Sequence, residues 1–230
     1  MIASPLTSVA LFHLGPVPIT SGVLTTWALM AVLVLGGALV SRRLSLVPSA
    51  TQAFFELIVH TVDSQIRDTM RVEPGPYRAF IGTLFIFIFV ANWTTLLPGV
   101  EPPTAHLETD AALALIVFVA VIWFGIRAGG VRGYLATFAT PSPIMIPLNF
   151  IESLTHTFSM LVRLFGNVMS GVFVIGIVLS LAGLLVPIPL MALDLLTGAV
   201  QAYIFAILAM VFIAGTLHDG PSAPDPRTPS

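Results

Sequence analysis

The 230 residues include no cysteine, which excludes disulfides and thiolate metal sites. They include no lysine either, so all nine basic residues are arginines. Charge as a whole is scarce, at 9% of residues against about 25% in a typical soluble domain. A formal net charge of −2 argues against nucleic-acid binding. No basic segment precedes the first apolar run, so no cleaved signal is expected. No GxxxxGK[ST] loop is present to cradle a nucleotide phosphate, and no HExxH pair to hold a catalytic zinc. No nucleotide, cofactor or resident metal is therefore expected.

What the chain does have is apolar surface: 57% hydrophobic residues and a mean hydropathy of +1.00. The apolar runs are continuous rather than alternating, so they predict helices and not barrel strands. The expected fold is an all-α integral membrane protein. It has about five bilayer-embedded helices and one amphipathic helix at the interface, in a single domain over residues 1–217. Helices are expected at about 23–40, 79–97, 111–127, 148–186 and 190–217. The segment 48–71 sets Phe55, Ile58, Val62, Ile66 and Met70 on one side, with Glu56, Asp63, Arg67 and Asp68 elsewhere. That pattern predicts a helix lying on the membrane surface, or one packed on a partner. The tail 218–230 is Pro-rich and polar and is expected to be disordered.

Arginine placement gives orientation. Arg42, Arg43, Arg67, Arg71 and Arg78 lie between the first and second spans, and Arg127 and Arg132 follow the third. By the positive-inside rule both loops are cytoplasmic. The N-terminus and the loop with His106, Glu108 and Asp110 then face outside, and the C-terminus is cytoplasmic. Asp110, immediately before Ala111, reads as the N-cap of the third span. It could alternatively line a water-filled path with His106 and Glu108.

The pattern from Asn149 to Val186 is 38 residues long. At 1.5 Å per residue it would reach about 57 Å, nearly twice a hydrocarbon core of about 30 Å. Either it breaks near Gly166-Asn167 or it forms one inclined helix. Nothing charged and no proline marks a break, so an inclined hairpin closed by Pro187-Ile188-Pro189 is the simpler reading.

At about 100° per residue, Glu152, His156, Ser159, Arg163, Asn167 and Ser170 share a sector about 80° wide. The stripe is about 27 Å long. The following helix has a shorter one, Asp194, Thr197, Gly198 and Gln201, which a hairpin can bring opposite the first. Arg163 decides the reading. A charge at mid-membrane costs roughly 2.5–3.5 kcal/mol on insertion scales and normally marks an ion or substrate path. A guanidinium also stays protonated where a desolvated ammonium need not. Asn92, inside the second span, reads as a packing hydrogen bond or as part of a channel.

The run PLNFIESLTHTFSMLVRLFGNVMSG, residues 147–171, resembles subunit a of the F-type ATP synthase membrane sector. So do Gln201-Ala202-Tyr203-Ile204-Phe205, Asn92 with Leu97-Pro98, and TPSPIMIPLN at 140–149. The resemblance covers residues 50–217. It implies a non-catalytic stator subunit in a bacterial inner membrane. Its partners would be the c-subunit ring, the peripheral-stalk b subunits and, indirectly, the soluble F1 sector. It also implies ion translocation through Arg163, Asn167, Gln201, Asp194, Glu152, His156 and Ser159, with His106, Glu108 and Asn92 on the outer side. Many members carry a glutamate nine residues after the arginine, where this chain has Val172. Some carry a histidine where this chain has Asp194. His106 and Glu108 stand where Asp and Asn are common. H+ is the favoured ion, with transient Na+ the alternative. The rival readings are an ion channel or secondary transporter working alone, and an intramembrane enzyme. The enzyme reading rests on Ser153 and His156, three residues apart, which lack an orienting carboxylate.

Overall fold

The computed structural model describes residues 10–14, 17–42, 50–96, 102–139, 145–182 and 186–218. Helices α1 Ser21–Ser41, α2 Ala50–Met70, α3 Gly75–Trp93, α4 Leu107–Ala139, α5 Met145–Ala182 and α6 Pro187–His218 make up the body. Five of them, all except α2, are long and apolar enough to cross a membrane. The chain is thus an all-α multi-pass membrane protein. One short antiparallel hairpin, β1 Ala10–Leu14 with β2 Val17–Thr20, precedes α1.

The helices begin earlier than charge and proline placement had predicted. α3 starts at Gly75 with Pro76 in its first turn, and α6 starts at Pro187 rather than Leu190. Proline fits there because its missing N–H would be unsatisfied in a first turn anyway. α4 starts at Leu107, not Ala111. Asp110 therefore lies inside the helix, its N–H donating to the His106 carbonyl at 3.3 Å. The cap reading of Asp110 is overturned, because its carboxylate is fully buried and meets no backbone N–H among the described residues. α4 also continues past residue 127 and bends at Gly130 (φ 71°, ψ 170°), a backbone region that only glycine adopts readily. The bend folds Tyr134 back onto Gly125. The tail beyond His218, expected to be disordered, lies outside the described residues, as do Arg43 and the Pro98-Gly99 pair.

α6 is the central helix and packs against α2, α3, α4 and α5. Its Ala202, Phe205, Ala206, Ala209, Met210 and Ile213 are buried in one core with Ile81, Leu84 and Ile88 of α3, Leu113, Val117 and Val121 of α4, and Met160 and Leu164 of α5. The C-terminal half of α2 joins that core through Val62, Ile66 and Met70, one residue per turn, while Phe54, Phe55 and Leu57 stay exposed. α2 is tied to the start of α3 by a bidentate pair. The Arg78 guanidinium donates to both carboxylate oxygens of Asp63, at 2.5 and 2.6 Å. That hydrogen bonding holds the Asp63 carboxyl below its ordinary value.

Candidate functional site: a polar stripe on α5 and a polar end of the bundle

α5 is one unbroken helix over 38 residues, with no break at Gly166. Its buried residues Met160, Leu164, Val168 and Ile175 recur at helical spacing and face the core. The polar stripe lies about 100° around the helix from them. Glu152, His156, Ser159, Arg163 and Ser170 are exposed, and Asn167 is half-buried. Most groups here have local partners. His156 Nε2 lies 3.3 Å from Glu152 Oε1, and its ring stacks on Phe212 of α6. The Ser170 hydroxyl donates to the Asn167 carbonyl at 2.9 Å. Among the described residues, the Arg163 guanidinium has no hydrogen-bond or ion-pair partner. Beside it, Gly166 borders open space.

Among the described residues no side-chain hydrogen bond or ion pair joins the two polar stripes across the hairpin. Asp194 of α6 is set against Gly171 of α5, where its carboxylate fills the space of a missing Cβ. Gly171 is eight residues beyond Arg163, about 12 Å along the helix. Asp194 is therefore no counter-ion for Arg163, and it sits next to Val172 instead. Gln201 is buried, and its Nε2 has no hydrogen-bond partner among the described residues.

A second group of polar residues occupies the end of the bundle near the 3-10 turn Pro103–Ala105. The Asn92 side chain donates to the Gly198 carbonyl at 2.9 Å and accepts from the Thr104 hydroxyl at 2.7 Å. Asn92 thereby joins α3, α6 and the turn. Gly198 allows this approach, since an added Cβ would come within 3.0 Å of the Asn92 Cβ. His106 packs its ring on Gly22 at the start of α1, and Glu108 is exposed. Asp110 is fully buried, and among the described residues neither carboxylate oxygen has a hydrogen-bond partner. The sequence pattern did not rank it, because an Asp before an apolar run also suits an N-cap.

The family model of the ATP synthase A chain matches residues 23–214. A protein named ATP synthase subunit a 2 from Bradyrhizobium sp. (strain BTAi1) is 57% identical over 217 residues, 94% of this chain and 97% of its own length. ATP synthase subunit a 1 of Chlorobaculum tepidum is 48% identical over 90% of this chain and 94% of its own. ATP synthase subunit a of Albidiferax ferrireducens is 44% identical over 92% and 93%.

Proposed function

The chain belongs to the ATP synthase A chain family, as a non-catalytic subunit of the membrane sector, and from that premise we propose how its own residues couple ion flow to rotation. The single observation that carries the reading is Arg163. It is a permanent cation in an apolar helix, it faces outward, and no carboxylate among the described residues pairs with it. Holding such a charge at mid-membrane costs several kcal/mol unless water or a counter-charge meets it. The counter-charge therefore comes from outside the chain, from a carboxylate on each subunit of the c ring. Gly166 and Ser159 leave room for that approach.

A loaded ring carboxylate is neutral and passes through lipid; an ionised one must stay near Arg163 or water. At an effective dielectric of about 20, a pair at 4 Å is worth about 4 kcal/mol. That biases the ring position without trapping it. Ions enter from outside by way of Asp194, Gln201 and Asn167, with His106 and Glu108 at the mouth, and Asn92 braces that end of the bundle through its two hydrogen bonds. They leave to the cytoplasm past Ser159, His156 and Glu152. Arg163 separates the two paths, so an ion crosses by riding the ring. A membrane potential contributes about 2.3 kcal/mol per charge per 100 mV. The peripheral-stalk b subunits hold this stator against the ring, and the rotation drives the soluble sector.

The setting is a bacterial inner membrane with the N-terminus outside. The ion is H+, with Na+ as the alternative. The α5–α6 hairpin lies inclined, because its first helix has an apolar stretch of 36 residues. The test is ATP-driven ion uptake into inverted vesicles that contain the whole complex, with and without Na+. Arg163→Ala should assemble and take up nothing. Normal uptake by that variant would reduce Arg163 to a structural charge and sink the reading.

A further inference from the structure

Two buried polar groups at the end of the bundle near the Pro103–Ala105 turn have no partner within the described residues. Asp110 of α4 is 0% exposed with both carboxylate oxygens unpaired, and Gln201 of α6 is 7% exposed with its Nε2 unpaired. They are at the same height. Near the far end of the two helices, Gly125 of α4 approaches Thr216 of α6. At the near end, Thr104, just before α4, reaches Asn92, which holds Gly198 of α6. α4 and α6 therefore run parallel. Fifteen residues back from Gly125 and from Thr216 lie Asp110 and Gln201.

Leaving a buried carboxylate or amide unpaired is costly, so such groups are normally satisfied by protein or by water. Here one element supplies unpaired acceptors and its parallel neighbour an unpaired donor at the same level. Resting on the stator reading above, we propose that Asp110 is a station for the monovalent cation in transit. It is reached through water held between Asp110 and Gln201. A proton is taken up from water as a carboxyl O–H and passed back to water on the ring side; Na+ would be held by the same oxygens and water. Among the described residues, the other titratable groups at this end are His106 and Glu108 at the start of α4 and Asp194 on α6. α3 contributes the neutral Asn92, and α5 contributes Gly171 and Val172.

The test uses the whole complex in vesicles stripped of the soluble sector. Passive ion flow is driven by a potassium diffusion potential, with and without Na+. Asp110→Asn should cut conduction on the order of 100-fold, the low end of what a positioned proton-transfer group contributes. Asp110→Glu should recover part of it, and dependence on Na+ names the ion. Because the chain has no cysteine of its own, Asp110→Cys adds a single thiol to it. Ag+ supplied from the outer side should reach that thiol and block conduction, with the native complex as control. Full conduction by Asp110→Asn, or an Asp110→Cys variant inert to Ag+, overturns the proposal. Either result beside an inactive Arg163→Ala variant leaves the stator reading standing.

Discussion

The carboxylate of Asp194 on α6 lies against the backbone of Gly171 on α5, in the space that any side chain at 171 would need. A carboxylate is thereby held between the two helices of the hairpin. Many members of the family that the sequence resembles carry a glutamate one residue on, where this chain has Val172. Here a carboxylate reaches the same level of α5 from the opposite helix.

Gly171→Ala should therefore push Asp194 and α6 outward. Overpacking of this kind costs typically about 1–3 kcal/mol. Gly176→Ala is the control, because Gly176 lies on the same helix and borders open space. Thermal melting of the detergent-purified membrane sector should show a lower midpoint for Gly171→Ala and none for Gly176→Ala. Equal midpoints would mean that the two helices do not meet at Gly171.

Asn92 holds three elements through two hydrogen bonds, so its removal should be felt as a loss of stability. Asn92→Ala leaves the Gly198 carbonyl and the Thr104 hydroxyl without these bonds, at a cost of about 1–3 kcal/mol for each group left unsatisfied. The amount of assembled complex and its melting temperature should both fall. The complex that does assemble should keep most of its ion uptake per molecule. Full stability with lost uptake would instead put Asn92 in the ion path.

Much of this was legible in the sequence, and the rest failed for identifiable reasons. Continuous apolar runs gave the helices, because backbone groups in lipid must be satisfied within the segment. The polar stripe on α5 could be read from its spacing alone. Its direction could not, since spacing fixes which residues share a face but not which face meets α6. The pairing of Asp194 with Gly171 and the burial of Asp110 depend on helix register, which only tertiary packing sets. The α6 start differs because Pro187 reads as a turn yet sits in a first turn, and the α3 start differs because Arg78 reads as outside the span yet lies within the helix. The β1–β2 hairpin was missed because two short apolar runs separated by Gly15-Pro16 were not weighed against the longer helical pattern that follows.

Asp63 and Arg78 predict a pH dependence with a definite sign. Hydrogen bonding to Arg78 lowers the Asp63 carboxyl below 3.8, so the pair contributes fully above that value and is lost as pH falls through the lowered one. Asp63→Asn should melt earlier than the native protein at pH 7. Below the lowered value the two should converge, because the native carboxyl is then protonated. A difference that persists unchanged in acid would assign the effect to packing rather than to charge.

Arg163 can be tested as a charge rather than as a shape. Arg163→Lys keeps the cation but loses the planar fork that meets a carboxylate in two places. Arg163→Gln keeps hydrogen-bonding capacity and loses the charge. If the role is electrostatic, about 4 kcal/mol of attraction disappears with the charge, which is roughly a thousand-fold in ring occupancy. ATP-driven uptake should therefore fall in the order arginine, lysine, glutamine, with the glutamine variant as inactive as Arg163→Ala. Among the described residues the guanidinium has no partner within the chain, so none of the three substitutions should lower the melting temperature of the subunit much. A glutamine variant that pumps as well as the lysine variant would show that the site needs a hydrogen-bond donor and not a permanent charge. The barrier between the two ion paths would then have to be a matter of shape.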